Sequence, residues 1–388
     1  MYQYNSVYLI FITLAEESSM KKYARKKVLL EQEVLRILSM NARASFSFIG
    51  NRIGTSVQQA YRIVKKLENK YGIRYLVEVD IEKLGYIKVL VLARFLNDSP
   101  TEREIKEIYD SNPQIQMAMI MTGKKYDLLL YVLVKNNDEI NELRKTLTLN
   151  SPIRKYGVLL YFTPFYDSYS FVPLKDDFVD TLKDSILTMK SNKGYPIVKE
   201  KQKLMLKREF AIIKEWNQDG SVDLRNIDRK YGFDKGRAQY AYYRLVESGI
   251  IKRLTVTMTN LPIRQMAMFS MRIFDYEQFY RTRKRLYEDI ISETPTPTNK
   301  YVFVGDIGSP FSGLLFMPVF SDNDIEDTLS VLSKTKGVRL STHIVIKMFG
   351  RLCFRKFDNA YTVQAKTLAS NYGMPIPSNV NYFEKDQL

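Results

Sequence analysis

One pattern, present twice, governs what this chain of 388 residues can become. Ser45 to Asp80 holds a short run of helical apolar spacing, a glycine, a longer helical run and an alternating basic segment, and about 178 residues later Asp223 to Asn260 holds the same order. In a gap-free register Leu35, Leu38, Phe46, Ile49, Gly54, Ala60 and Leu67 fall on Ile213, Trp216, Leu224, Ile227, Gly232, Ala238 and Leu245. Recurrence at a fixed offset indicates one structural unit used twice.

The local chemistry of each copy is that of three helices. Leu30, Val34, Leu35 and Leu38 share one face of a first helix within residues 21–40. Ser45 can cap a second, in which Phe46, Ile49 and Ile53 point inward, and Gly54 permits a tight turn. Ser56 can cap a third, where Ala60, Ile63, Val64 and Leu67 face in while Gln58, Gln59, Tyr61, Arg62 and Lys65 face out. In the second copy Asp234 takes the place of the capping Ser56. Ala238, Ala241, Tyr242 and Leu245 face in, and Lys235, Arg237, Gln239, Tyr240 and Tyr243 face out. The alternating segments, Ile73 to Asp80 with Arg74 and Ile250 to Asn260 with Lys252 and Arg253, read as wings. Each copy is thus expected to be a winged helix-turn-helix. Its outward residues, together with the capping Ser56, are of the types that bond base edges and phosphates.

Between the copies the period changes from helical to alternating. Strands over Tyr86–Phe95, Ile115–Met121, Leu128–Val134 and Gly157–Thr163 enclose helices over Thr101–Asp110 and Asp138–Leu147. This β-α-β-β-α-β order implies a ferredoxin-like sandwich whose second face needs cover. After the second trihelix come strands near residues 265–274, 300–305, 313–320 and 338–347, with helices near 276–291 and 323–334. The expected class is α+β, a tandem duplication. The divisions are an extension (1–20), a first winged helix-turn-helix (21–84) and sandwich (85–174), a linker (175–203) with a helix near 177–189, a second winged helix-turn-helix (204–262) and sandwich (263–357), and a polar tail (358–388).

The formal charge of +16 is concentrated in the trihelical copies, about +8 over residues 21–80 and about +6 over 201–260, which suits a polyanionic partner. A single cysteine, Cys353, excludes an internal disulfide and fits a reducing cytoplasm. A single histidine, His343, cannot complete a zinc site with one thiol or a Ser-His-Asp site in each copy, and no metal or cofactor is expected. On its fourth strand a packed core or edge histidine is the expectation. The apolar run Val7–Ala15 is too short to span a bilayer and lacks signal-peptide flanks, and Met20 is an alternative start.

These residues resemble the Lrp/AsnC, or feast/famine, family of transcription regulators. The resemblance rests on Ala44 to Glu68 with the wing that follows, on TGKKYDLLLYVLV at Thr122 to Val134, and on GVRLSTHIVI from Gly337. It covers residues 21–174 and again 201–357. It implies a DNA-binding head joined to an effector-type (RAM) domain, acting on double-stranded DNA in the cytoplasm at the nucleoid. It also implies pairing of the two sandwiches sheet against sheet as a covalent pseudo-dimer, with further homo-oligomers open. Relatives bind amino acids near the turn that corresponds to Gly123, Tyr126 and Asp127, so an amino-acid-like effector is implied there. The second unit departs from that pattern with GDIGSPFSG at Gly305 to Gly313. Two other readings stay open. Sirohaem decarboxylases use the same paired units, though their substrate calls for His and Arg groups and only His343 is present. A scaffold whose second head has lost DNA binding would explain the aromatic face at Tyr240, Tyr242 and Tyr243.

Overall fold

The computed structural model describes residues 30–31, 33–39, 41–164, 167–168, 174–180, 182, 206–260, 265–273, 277, 301–304, 311–319, 323–333 and 338–350. The expected N-terminal extension, the polar tail, most of the linker and most of the helix near 276–291 lie outside them.

The first head consists of α1 (residues 30–39), α2 (Phe46–Ile53) and α3 (Val57–Tyr71), and the second of α7 (Lys207–Gln218), α8 (Leu224–Tyr231) and α9 (Arg237–Glu247). The 178-residue register survives in burial: Leu38, Ile49, Ala60 and Leu67, like Trp216, Ile227, Ala238 and Leu245, are all buried. Gly54 and Gly232 end their helices in the left-handed region, at φ 68° and 65°. A Cβ would meet nothing within 4 Å at either, so the backbone conformation, not space, calls for glycine.

The wings differ from expectation. A wing folds back as a hairpin on its own head; here each head supplies a single strand. These strands, β1 (Ile73–Val79) and β7 (Ile251–Met258), pair antiparallel with each other. Further contacts lock the heads together. Ala42 N–H donates to Leu254 O at 3.0 Å, the Thr255 hydroxyl to Ser39 O at 2.7 Å, and Gly220 N–H to Tyr75 O at 2.8 Å. A Cβ on Gly220 would lie 2.9 Å from Leu76 N, so this docking demands glycine. The Arg43 guanidinium donates to Gly220 O and Val222 O at 3.2 and 2.6 Å and lies 4.4 Å from the centre of the buried Trp216 ring.

The first sandwich follows the expected order: β2 (Ile87–Phe95), α4 (Glu102–Ser111), β3 (Ile115–Gly123), β4 (Leu128–Val134), α5 (Asn137–Leu149) and β5 (Val158–Pro164). Beyond it come the short β6 (Asp167–Ser168) and a helical turn, α6, at residues 176–180. The second contributes β8 (Gln265–Ile273), β9 (Tyr301–Val304), β10 (Gly313–Val319), α10 (Asn323–Ser333) and β11 (Val338–Gly350). These nine strands form one sheet, in the order β5-β2-β4-β3-β11-β8-β10-β9-β6, apart from the β1–β7 pair. Its two edges, β5 and β6, are separated in the chain by residues 165 and 166 alone. That gap spans about 11 Å at most, whereas nine strands laid flat would put the edges about 38 Å apart. The sheet therefore curls back on itself.

Alternation along the strands sorts the residues between the two faces. Leu90, Leu92, Met119 and Leu129 share one buried apolar cluster with Met268, Leu314 and Phe316 of the second unit. Val91, Leu130 and Val132 form another with Ile105 and Ile108 of α4 and Leu143 of α5. Residues of both units thus share one buried apolar cluster, and the hydrogen-bonded seam between β3 and β11 joins the two expected sheets edge to edge into one.

The start of the expected linker is not a spacer. Leu174, Phe178, Val179 and Leu182 are buried, Phe178 lies edge-on to Tyr86 at 5.1 Å, and Asn217 donates to Leu174 O at 2.9 Å.

Candidate nucleic-acid interface

Two helices, α3 and α9, present the polar faces expected from their sequences. Ser56, Gln58, Gln59, Tyr61, Arg62 and Lys65 are all exposed on the first, and Lys235, Arg237, Gln239, Tyr240 and Tyr243 are all exposed on or just before the second. The Ser56 hydroxyl accepts from Gln59 N–H at 3.2 Å and fixes where α3 begins. Val57 at its first turn is 50% exposed, an apolar group placed beside the polar ones. Tyr61 lies edge-on to Phe46 with centroids 5.1 Å apart, which restrains its ring. Lys65 pairs with Glu68 at 2.6 Å, and this contact raises its pKa. On α9, Arg208 lies 5.6 Å from the Tyr240 ring centre, and the Gln239 amide donates to the Tyr243 hydroxyl at 3.2 Å.

The second of these helices, α9, is capped differently from expectation. Asp234 is not its N-cap. The helix begins at Arg237, two residues later in register than α3, and its cap is Gly236 at φ 83°. The orphan amides are taken by the buried Asp228 of α8, which accepts from Gly236 N–H at 2.8 Å and Ala238 N–H at 2.7 Å. Asp228 occupies the register position of Gly50, where a Cβ would come within 2.8 Å of Thr55 O. The first head closes its turn by direct backbone approach, and the second by a bridging carboxylate. Replacing Asp228 with Ala leaves the buried Ala238 N–H and the part-buried Gly236 N–H without their acceptor and should cost about 2 kcal/mol in urea unfolding. Asp234→Ala, at an exposed residue, should cost less than about 0.5 kcal/mol.

The cations assigned to the wings are placed differently as well. Arg253 stands opposite Glu78 across the β1–β7 ladder and binds its carboxylate at 2.7 Å, and Lys252 reaches Asp80 at 3.5 Å. The register puts Arg253 against Glu78, and Lys252, at the register shift beside it, reaches Asp80, so both tie one head to the other. Arg74 is exposed, opposite Thr257.

The turn residues Gly123, Tyr126 and Asp127 converge on the seam between the units. A Cβ on Gly123 would lie 2.5 Å from the His343 ring. Tyr126 N–H donates to His343 Nε2 at 3.1 Å, and the two rings stack at 5.5 Å and 20°. Asp127 accepts from Phe95 N–H at 2.9 Å. All three thus have packing roles, with only Tyr126 also reaching the wall of a cleft. His343 is fully buried on β11, as expected for a packed core histidine. Burial, with a smaller contribution from Lys125 and against the opposing pull of Asp127, lowers its pKa to about 4. With Nε2 accepting, the neutral ring carries its proton on Nδ1, a buried atom with no hydrogen-bond partner among the described residues. In the second unit the corresponding turn ends in the buried Phe311 and in Ser312, whose N–H donates to Met271 O at 2.7 Å. The rest of the 305–313 segment lies outside the described residues.

No family model matches the chain. It is 25% identical over 117 residues to PH1692 of Pyrococcus horikoshii, named as an uncharacterized HTH-type transcriptional regulator, covering 30% of this chain and 78% of that protein. It is also 25% identical over 114 residues to the HTH-type transcriptional regulator Ptr1 of Methanocaldococcus jannaschii, covering 29% of this chain and 76% of that protein. An AsnC family transcriptional regulator from Agrobacterium tumefaciens aligns over 34% of this chain and 87% of its own, at 23% identity and a TM-score of 0.30. The siroheme decarboxylase NirDL aligns over 89% of this chain and 99% of its own, at 12% identity and a TM-score of 0.48. Both structural likenesses concern the fold alone. Among the described residues no helix is long and apolar enough to cross a membrane.

Proposed function

We propose that the chain is a sequence-specific regulator that binds double-stranded DNA at the nucleoid through α3 and α9, reading two unequal half-sites. The observation that carries this reading is the rigid pairing of two exposed, unlike recognition faces: the β1–β7 ladder and the Arg43 anchor fix one head against the other. A fixed pair of heads suits an operator of fixed spacing, and unlike side chains suit an imperfect palindrome. Arg62 and Arg237 supply forked donors for guanine or phosphate, Gln58 and Gln59 suit adenine, and Val57 can meet a thymine methyl. The HTH-type name of the relative supports the same reading.

The test is selection of bound duplexes from a random pool by the full chain. Two different half-sites should emerge, centred about 34–36 Å apart or a multiple of that, with affinity falling steeply as salt rises. Recovery of no preferred sequence and a flat salt response would overturn the proposal. The decarboxylase reading finds no comparable support, since His343 is buried and its Nε2 is already occupied; a Soret shift on titration with sirohaem would revive it.

A further inference from the structure

The register that relates the two heads also relates an ion pair within each. In the first, Glu31 of α1 binds Lys66 of α3 at 2.5 Å. In the second, Glu209 of α7 holds the place of Glu31, Arg244 of α9 holds that of Lys66, and the two pair at 3.4 Å. The first and third helices of each head therefore pack in the same way.

Positions beside this pair can then be compared across the heads one by one. Just before the glutamate stand Leu30 and Arg208, and one turn before its partner on the third helix stand Arg62 and Tyr240. Here the heads exchange chemistry. The first carries an aliphatic side chain on α1 and an exposed cation on α3, whereas the second carries the cation on α7 and an aromatic ring on α9. The guanidinium carbon of Arg208 lies 5.6 Å from the centre of the Tyr240 ring, within the range of cation–π attraction.

Arg208 is held there at a cost. Its Nε is buried without a hydrogen-bond partner, and among the described residues no carboxylate pairs with its guanidinium, since the neighbouring Glu209 is paired with Arg244. The ring it rests on, Tyr240, is 56% exposed. A guanidinium kept against an exposed ring with no counter-charge is completed by an anion, and its planar fork matches the oxygens of a phosphate.

We propose that Arg208 is a DNA phosphate-binding residue of the second head, placed by the Tyr240 ring where Arg62 stands in the first. The assignment rests on the DNA-binding reading above and adds α7 to the surface that carries it. Tyr240 then acts as a platform for Arg208 in place of a base-reading group.

Anisotropy titrations of the full chain against its selected operator, repeated from about 0.05 to 0.2 M salt, test this. Arg208→Ala should weaken binding by about tenfold and lower the slope of log affinity against log salt by about one. The preferred half-sites should stay the same, because a phosphate contact carries no base information. Arg208→Leu should behave alike, and adding Tyr240→Arg to it, which rebuilds the Leu30 and Arg62 arrangement of the first head, should restore both affinity and slope. A packing role for Arg208 would not be rescued in this way. An unchanged slope with Arg208→Ala, or no recovery in the double variant, would overturn the assignment while leaving DNA binding by the chain intact. Absence of both sequence preference and salt dependence in the unaltered chain would overturn the DNA-binding reading and this assignment with it.

Discussion

Replacing Arg62 and Arg237 together with Ala should remove sequence-specific DNA binding. Each lies exposed, on α3 and α9 respectively, and on the proposed reading a forked guanidinium contact to a base or phosphate contributes about 1–3 kcal/mol. The residues belong to different heads and share no partner, so their effects should add, to about 2–6 kcal/mol. Fluorescence anisotropy on the selected operator would measure this, and each single variant should account for roughly half. A loss with Arg62→Ala alone, and no change with Arg237→Ala, would show that the second head does not read DNA and would favour the scaffold reading of its aromatic face. Circular dichroism should be unchanged throughout, since neither side chain is buried.

Acid should weaken the seam between the units through His343. The folded-state pKa, near 4, lies below the ordinary 6.5, so the unfolded chain takes up the proton first. The associated stability is fully present above about pH 6.5, declines as pH falls, and is gone below about pH 4. A shift of this size corresponds to about 3 kcal/mol. Urea unfolding at neutral pH and near pH 4 would test it against His343→Gln, which can still accept from Tyr126 N–H and has no titrating ring. The wild type should lose about 3 kcal/mol more than the variant over that interval, because carboxylate contributions are common to both. Equal losses would show that His343 does not govern the response.

The helices were legible in the sequence because their causes are local. Ser45 and Ser56 cap within three residues of their own position, Gly54 and Gly232 turn within one, and the inward stripes repeat every three or four residues. The outward faces of α3 and α9 followed from the same periodicity, and the strands of the first sandwich from the change to alternating and continuous apolar runs. Where a longer-range partner intervened, local reasoning misplaced the residue. Asp234 has the right chemistry for a cap, but Asp228 reaches across from α8 and starts the helix two residues later.

Sequence by itself determined the two trihelical units, the βαββαβ order of the first sandwich and the residues of α3 and α9 that face outward. Only the tertiary structure decided how the copies meet. An alternating strand satisfies its own pattern with any partner, so nothing within Ile73–Val79 or Ile251–Met258 specifies that they pair with each other and turn Arg253 onto Glu78. The same holds for β3 and β11: each satisfies its own alternation with any partner, and only the folded chain joins them as the seam of one sheet and brings His343 onto the Gly123–Tyr126 turn.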